Sequence, residues 1–205
     1  MNQHHIFFDV ETSHLQPEKG EILEIAAIRT DEEGQIVAKC CDRVCPTMEI
    51  DPSVIPVNGY NEKDWSTAVP FRTALGTLRA VALEDYTNHF VVVAHFAPFD
   101  QSFLLSECKK AGLENPFPNR IWVDTAQLAW PLVFSDIIEN RKLETLCNYY
   151  DVAKENLHTA YGDANALRQI YWKMMARYKI ALNVEGKVKG VVGGLLGSIA
   201  QQFGF

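Results

Sequence analysis

The chain has 205 residues, of which 47% are hydrophobic and 22% are charged. This composition is typical of one globular domain with a hydrophobic core, and it argues against a disordered chain. The formal net charge of −7 argues against tight non-specific binding along a nucleic-acid backbone, because that binding usually depends on a basic surface. A nuclease is not excluded, since carboxylates that bind metal ions add negative charge.

Targeting and redox features are few. The first residues, MNQHHIFFDVE, lack a basic segment followed by a long apolar run, so no signal peptide is predicted. No segment is long and apolar enough to predict a membrane span. The five cysteines are odd in number and lack C-x-x-C spacing, which fits neither a disulfide framework nor a zinc ribbon. We interpret them as reduced cysteines of a cytoplasmic protein.

The first half of the chain predicts three strands, over Gln3–Val10, Glu21–Thr30 and Gln35–Cys45. Glu33 and Gly34 form the turn between the last two. Two strands that follow the first at short intervals suggest an antiparallel meander. A loop rich in Pro, Asp and Asn follows, from Pro46 to Asp64.

A helix and a buried strand come next. Apolar residues recur at helical spacing behind Pro70, namely Phe71, Ala74, Leu75, Leu78, Val81 and Ala82. Val91–Val93 has the composition of a fully buried strand in the middle of a mixed sheet. A helix then starts near Pro98, an early helical residue, and ends before Gly112.

The rest of the chain continues the alternation of strands and helices. Ile121–Val123 predicts a short strand, and Asp124 and Thr125 can cap a helix that runs until Pro131. A short helix is marked by Leu143, Leu146, Cys147 and Tyr150, and the last one runs from about Thr159 to Tyr178. Strands first and strand–helix alternation afterwards predict an α/β domain with a mixed sheet, covering residues 1–180.

The residues from 181 to 205 form a glycine-rich apolar tail. A loosely ordered terminus is one interpretation, and an apolar flap that packs on the domain or on a partner is another. A clamp-binding peptide could be built on Gln201, Gln202, Phe203 and Phe205. The candidate partners of this tail are therefore a polymerase, a clamp or a second copy of the chain.

Two carboxylates end the first strand on one face. Strand periodicity places Phe7, Asp9 and Glu11 on the same side. Neighbouring carboxylates repel each other and are costly to bury. They become tolerable if the strand end is exposed or if a cation lies between them. As a lone motif, D-x-E is common.

Two further aspartates interrupt apolar patterns. Asp100 has the helical spacing of Phe103 and Leu104, so it faces inward, although a first-turn aspartate also stabilises a helix N-terminus. Both readings stay open at this point. Asp163 precedes Leu167 by four residues in the apolar stripe of the last helix, where an aspartate is uncommon without a partner.

One histidine completes the set. His158 precedes Asp163 by five residues, which would place them about 140° apart on one helix. The two meet most easily if His158 lies on the loop before the helix. Together with the four acids it predicts a hydrolytic site, in which oxygen ligands select Mg²⁺ or Mn²⁺. Two such ions can stabilise a phosphodiester displacement, and a histidine is suited to take the proton of the attacking water.

Three segments resemble the exonuclease motifs of the DEDDh, or DnaQ-like, family, to which the proofreading subunit of bacterial replicative DNA polymerase belongs. They are FFDVETS (Phe7–Ser13), VVVAHFAPFDQSFL (Val91–Leu104) and HTAYGDANAL (His158–Leu167). With the intervening family-like segments, the resemblance covers roughly Ile6 to Tyr178. Histidine rather than tyrosine at position 158 indicates the DEDDh branch rather than the DEDDy branch.

The resemblance implies an RNase H-like fold, with a mixed five-stranded sheet flanked by helices, and two Mg²⁺ or Mn²⁺ ions per site. By position, Asp9, Glu11 and Asp163 would hold the ions, with Asp9 bridging them. Asp100 would bind the second ion directly or through water, and His158 would be the general base. Thr12 would contact the 3′-terminal nucleotide, and Phe99 would pack beneath the site.

The sequence departs from the family pattern at two places. Ser13-His14 replaces the usual Thr-Gly after the first motif, and Phe96 replaces an asparagine after the histidine of the second. Phe96 could stack on a base of the substrate or could simply pack. Neither change removes a metal ligand.

The expected substrate is a single-stranded or frayed 3′ end, with DNA favoured over RNA because of the likeness to proofreading exonucleases. A 3′→5′ exoribonuclease or oligoribonuclease is the alternative. Two other classes stay open. One is a non-catalytic module of the same fold that binds nucleic-acid ends, and the other is a metal-dependent hydrolase of small phosphoesters.

Overall fold

A computed structural model describes residues 3–83 and 90–180. The chain divides into two compact units, Met1–Ile170 and Tyr171–Phe205. The tail predicted over residues 181–205, with its clamp-peptide and partner interpretations, lies outside the described residues. The predicted domain boundary at residue 180 therefore stays a prediction.

Five strands form one mixed sheet in the order β3-β2-β1-β4-β5. They are β1 (His4–Thr12), β2 (Ile22–Thr30), β3 (Ile36–Arg43), β4 (Phe90–Ala94) and β5 (Trp122–Asp124). The first three strands pair antiparallel, as the meander predicted. Strands β4 and β5 run parallel to β1. The mixed five-stranded sheet predicted for this chain is confirmed.

Seven α-helices and one 3₁₀ helix lie in the described residues. The helices are α1 (Ile55–Asn58), α2 (Phe71–Leu83), α3 (Ala97–Ala111), α4 (Thr125–Leu128), α5 (Trp130–Phe134), α6 (Leu143–Tyr150) and α7 (160–180), and the 3₁₀ helix is Asp64–Thr67. Within this part of the chain, no helix has the length and apolar character needed to cross a membrane.

The two faces of β1 have different environments. Ile6, Phe8 and Val10 are buried in the main hydrophobic core, together with apolar residues of α2 and α3. Asp9 and Glu11 lie on the opposite face, because side chains alternate along a strand. Since β1, β4 and β5 are parallel, their carboxyl ends share one edge of the sheet. The segments that carry chemistry leave the sheet at that edge.

The structure corrects three of the predicted elements. Strand β1 continues past Val10 to Thr12, because Glu11 pairs with Glu24 of β2 and extends the ladder. The helix predicted up to Pro131 is divided at Ala129 into α4 and α5. Pro131 falls in the first turn of α5, where its missing N–H has no intrahelical partner to lose. The segment predicted as a loop contains α1 and the start of the 3₁₀ helix.

Candidate active site

A cleft of about 460 Å³ opens at the edge where the parallel strands end. Its lining contains all five predicted acid and base residues and the two predicted aromatic residues, Phe96 and Phe99. The lining residues are Asp9, Val10, Glu11, Val57, His95, Phe96, Phe99, Asp100, His158 and Asp163. Residues from β1, from the start of α3 and from the start of α7 are thus brought to one place.

Three carboxylates meet inside the cleft. One oxygen from each of Asp9, Glu11 and Asp163 lies within 4.8 Å of the others, and all three residues are half-buried. Asp100 is outside this group. It is 2% exposed, and its Oδ1 accepts a hydrogen bond of 3.2 Å from the backbone N–H of Val10. Asp100 therefore attaches the start of α3 to the strand that carries Asp9.

Burial raises the pKa values of all four acids in the cleft, and neighbouring negative charges add to the rise for Asp9, Glu11 and Asp100. Burial raises the pKa of Glu11 to about 8, with contributions from the charges of Asp163, Glu24 and Asp100. Burial and the charge of Asp100 raise the pKa of Asp9 well above its ordinary value. Burial likewise raises the pKa of Asp100 and of Asp163. Clustered carboxylates in a half-buried cleft resist ionisation until positive charge arrives.

The donor set fits divalent metal ions. No lysine or arginine within residues 3–83 and 90–180 forms an ion pair with Asp9, Glu11 or Asp163. Three convergent oxygen donors without a protein counter-charge suit Mg²⁺ or Mn²⁺. Zinc is disfavoured, since it prefers nitrogen and sulfur ligands.

His158 lies in the turn that leads into α7, as its spacing from Asp163 predicted. Its φ of +67° is in the left-handed region, and its backbone N–H donates to Asp163 Oδ1 at 3.1 Å. Gly162 permits this turn, because a Cβ there would lie 1.8 Å from the carbonyl oxygen of Asn156. The exposed His158 and the half-buried Asp163 are therefore held together by the local backbone.

Glu24 is a site residue that the sequence reasoning missed. It is 5% exposed and faces Glu11 across the β1–β2 ladder. Its Oε2 accepts a 2.7 Å hydrogen bond from the backbone N–H of Ala160, the first residue of α7, and Arg43 lies 3.6 Å from its Oε1. Glu24 thus fixes the start of α7 beside β1. A lone charge inside the apolar segment ILEIAAI, residues 22–28, was the available signal.

His95, in the second motif, is a further residue of the cleft for which the sequence predicted no role. His95 Nδ1 is 2.9 Å from Thr125 Oγ1, and burial lowers the pKa of His95 to about 4. Phe96 follows it with a φ of +61°, and its backbone N–H donates to Asp124 Oδ1 at 3.1 Å. The turn between β4 and α3 is therefore fixed to the end of β5.

Thr12 lines an adjoining cavity of about 260 Å³ rather than the main cleft. This cavity shares Val10, Glu11, Val57 and Phe99 with the cleft, and its other residues are Thr12, Leu15, Ser53, Val54 and Asn58. The Thr12 hydroxyl donates to the His14 carbonyl at 2.8 Å, and the Asn58 amide donates to the Thr12 carbonyl at 2.9 Å. Sequence reasoning missed Asn58, whose only signal was its place in the Pro46–Asp64 segment.

The family model named RNase_T, described as an exonuclease, matches residues 6–171. The chain therefore belongs to this exonuclease family. It has the RNase H-like fold and the acidic motif set of the DEDDh type, as the sequence motifs predicted.

Several PolC-type DNA polymerase III sequences are similar to this chain. The PolC-type DNA polymerase III of Caldanaerobacter subterraneus subsp. tengcongensis is 31% identical over 172 residues, which are 84% of this chain and 12% of that protein. The PolC-type enzyme of Listeria innocua is 29% identical over 178 residues, which are 87% of this chain and 12% of that protein. This chain thus spans about one eighth of the length of these relatives.

Solved structures share the fold at low sequence identity. E. coli exonuclease I in complex with a dT13 oligonucleotide has a TM-score of 0.72 and 14% identity, over 85% of this chain and 41% of that one. The nuclease domain of 3′hExo, a DEDDh family member bound to rAMP, has a TM-score of 0.70 and 16% identity. That match covers 85% of this chain and 92% of the other.

Proposed function

We propose that this protein is a metal-dependent 3′→5′ exonuclease that releases nucleoside 5′-monophosphates from single-stranded or frayed 3′ ends. The observation that carries the proposal is the convergence of Asp9, Glu11 and Asp163 within 4.8 Å in a cleft that Asp100 and His158 also line. All five residues of a DEDDh site are present, which a non-catalytic module would not need.

The proposed chemistry divides between the carboxylates and the histidine. Asp9, Glu11 and Asp163 would hold two Mg²⁺ or Mn²⁺ ions, and Asp100 would contribute directly or through water. Bound there, the ions would neutralise the charge that develops on the attacking and leaving oxygens. His158, exposed on the cleft, would take the proton of the attacking water. Its hydrogen-bonded turn keeps this base beside Asp163.

The adjoining cavity would receive the 3′-terminal nucleotide. It is predominantly apolar, opens beside Glu11 and contains Thr12, Leu15 and Asn58. The Thr12 hydroxyl and the Asn58 amide already have partners within the protein. Because these groups are occupied, the cavity would grip a base by shape and apolar contact rather than by reading its edge. This arrangement suits an enzyme that removes all four nucleotides.

DNA is the favoured substrate, because the similarity to PolC-type DNA polymerase III extends over 84% of the chain. The same similarity supports a cytoplasmic location and association with a polymerase. RNA is the second candidate, since the fold also matches a nuclease domain bound to rAMP. The whole relatives are far longer than this chain, so their activities carry over only as proposals.

The test uses 5′-labelled single-stranded DNA and RNA oligonucleotides of one sequence, incubated with Mn²⁺ or with EDTA. We expect a Mn²⁺-dependent ladder that shortens from the 3′ end, with DNA degraded faster. Cleavage of neither strand by a folded protein that binds Mn²⁺ would contradict the proposal. Small phosphoesters, such as nucleoside monophosphates, would then be the next substrates to assay.

A further inference from the structure

A stack of planar groups begins at the wall of the catalytic cleft. We call it the aromatic ladder, and it consists of Phe96, Arg141, Trp130 and Phe134. The Cζ atom of Arg141 lies 5.1 Å from the ring centroid of Phe96 and 3.9 Å from that of Trp130. The rings of Trp130 and Phe134 are stacked, with centroids 4.9 Å apart and planes 8° from parallel.

The ladder is held in place by the short helices that follow β5. The Trp130 indole N–H donates to Gln127 Oε1 at 3.1 Å, and the Arg141 guanidinium donates to the Ala126 carbonyl at 3.4 Å. Phe96 at the other end is fixed by its backbone hydrogen bond to Asp124. Planar groups that are fixed before binding lose little conformational freedom when a ligand stacks on them.

Two members of the ladder present aromatic surface to solvent. Phe134 is 77% exposed and Phe96 is 42% exposed. Phe96 also lines the cleft with the proposed metal-binding carboxylates, so one end of the ladder adjoins the proposed site of hydrolysis. A left-handed φ of +61° is uncommon for a bulky side chain. The strained backbone points to a constrained position for this ring at the cleft.

From this geometry we infer that the aromatic ladder is a binding site for single-stranded nucleic acid, on which bases upstream of the scissile bond stack. The inference rests on the proposed function and extends it beyond the 3′-terminal nucleotide. Unpaired bases are favoured because every base offers a π face once it is unstacked from a duplex. Arg141 adds a cation beside that path, which suits a phosphate as well as a base.

Stacking also accounts for substrate binding by an acidic protein. The net charge of −7 disfavours a grip that depends on counterion release. Exposed acidic residues flank the ladder at Asp136 and Glu139 and offset the positive charges of Arg141 and Lys142, so the local surface is not basic either. Stacking of bases on aromatic rings would supply affinity that does not come from counterion release. An apolar partner protein is the competing occupant, and the experiment below separates the two.

The experiment measures Kd by fluorescence anisotropy, with a labelled thymidine octanucleotide and a labelled dinucleotide. All proteins carry Asp163→Asn to prevent cleavage. In this background Phe134→Ala should weaken octanucleotide binding on the order of tenfold, and leave dinucleotide binding unchanged. Phe134 is a suitable position because its exposed ring contributes little to the fold. Ile121→Ala is the matched control, since Ile121 is 68% exposed. Ile121 directly precedes β5, whereas Trp130 and Phe134 of the ladder follow the other end of that strand.

A second variant separates stacking from charge. Arg141→Lys keeps the positive charge and removes the planar group, so it should weaken octanucleotide binding and leave the salt dependence of the Kd unchanged. Equal octanucleotide affinity of the parent and Phe134→Ala would overturn the inference. It would also be overturned if Phe134→Ala changed only self-association in sedimentation, which would assign the ladder to a protein partner.

Failure of the ladder and failure of the exonuclease proposal can be told apart with the cleaving enzyme. If the protein with Asp163 intact degrades oligonucleotides while Phe134→Ala has an unchanged KM for the octanucleotide, only the ladder inference fails. If the intact enzyme degrades no oligonucleotide, the proposed function fails. With the ladder in use, Phe134→Ala should raise KM for the octanucleotide and leave the rate on the dinucleotide unchanged.

Discussion

Two pairs of acidic residues, on the neighbouring strands β1 and β2, differ in the hydrogen-bond donors that contact their carboxylates. Glu21 and Glu24, at the start of β2, are both 5% exposed. Glu21 accepts hydrogen bonds from the Thr47 backbone and hydroxyl and from the Met48 backbone, and Glu24 accepts one from Ala160. Asp9 and Glu11 on β1 are half-buried, and no donor within residues 3–83 and 90–180 forms a hydrogen bond with their carboxylates.

The difference separates carboxylates that hold the fold together from carboxylates that we propose to be metal ligands. Hydrogen-bond donors that converge on a buried carboxylate satisfy its oxygens and fix the segments that supply them. A cluster without donors keeps raised pKa values, as Glu11 and Asp9 do. Active sites commonly sacrifice stability in this way. The comparison therefore predicts opposite consequences for substitutions in the two pairs.

The largest expected effect is on catalysis. Asp163→Asn should reduce the rate of 3′-end cleavage by at least about a thousandfold, because it removes a charged oxygen ligand from the metal cluster. The protein should stay folded, since an amide oxygen can still accept the backbone N–H of His158. The check is the rate on a 5′-labelled oligonucleotide with saturating Mn²⁺. Glu33→Gln, an exposed acid in the turn between β2 and β3, is the control and should leave the rate unchanged.

The next effect concerns the base. His158→Ala should slow cleavage by about 10²–10⁴-fold, the range for loss of a general base. Metal binding should survive, because the carboxylates are untouched. Single-turnover kinetics and a parallel Mn²⁺ titration measure the two properties separately. Full activity in this variant would remove His158 from the proposed mechanism.

The free energy of unfolding directly tests the contrast between Glu24 on β2 and Glu11 on β1. Glu24→Ala should lower the free energy of unfolding by about 1–3 kcal/mol, because it leaves the buried N–H of Ala160 without an acceptor. Glu24→Gln retains an oxygen acceptor and should cost less. Glu11→Gln should leave the metal-free protein as stable as the parent or more stable. Urea unfolding in EDTA measures all three, and an equal loss for Glu11→Gln and Glu24→Ala would refute the distinction.

The smallest effect is a pH dependence. The pKa of Glu11 in the folded protein, about 8, lies above its ordinary value of 4.5. Between these values the folded state binds more protons than the unfolded state, so stability falls as pH rises. His95 has the opposite sign, because its lowered pKa costs stability as pH falls from 6.5 towards 4. The window from about pH 6.5 to 8 therefore isolates the carboxylates.

In that window the metal-free protein should lose stability with rising pH, and Glu11→Gln should lose less. Thermal unfolding in EDTA at several pH values measures the slopes. Added Mg²⁺ should reverse the trend, because metal binding competes with protons. A slope of equal size in parent and variant would show that Glu11 is not the titrating group.

The sequence predicted those parts of the site that interrupt a pattern. Asp9, Glu11 and Asp163 stand where apolar residues were expected, and the motif order gave their common location. Glu24 escaped notice because its partner, the N-terminus of α7, is 136 residues away along the chain. Side-chain hydrogen bonds of that range leave no periodic trace in a sequence.

The parts of the fold that were predictable are likewise those that leave a periodic pattern in the sequence. Alternation and helical spacing gave the mixed sheet and the long helices. The division at Ala129 was missed because α4 and α5 are only four and five residues long, too short for a periodic signal. The aromatic ladder was unpredictable for a related reason. Its members come from three separate segments, and only tertiary packing places Arg141 between Phe96 and Trp130.

The central claim is that Asp9, Glu11 and Asp163 form a metal site that drives 3′-end hydrolysis. Calorimetric titration of Mn²⁺ into the parent and into Glu11→Gln, at pH 8 and without substrate, tests it most directly. The account predicts binding to the parent with release of protons, and binding to the variant that is at least tenfold weaker. Equal Mn²⁺ affinity of the two proteins, or no binding to either, would contradict it.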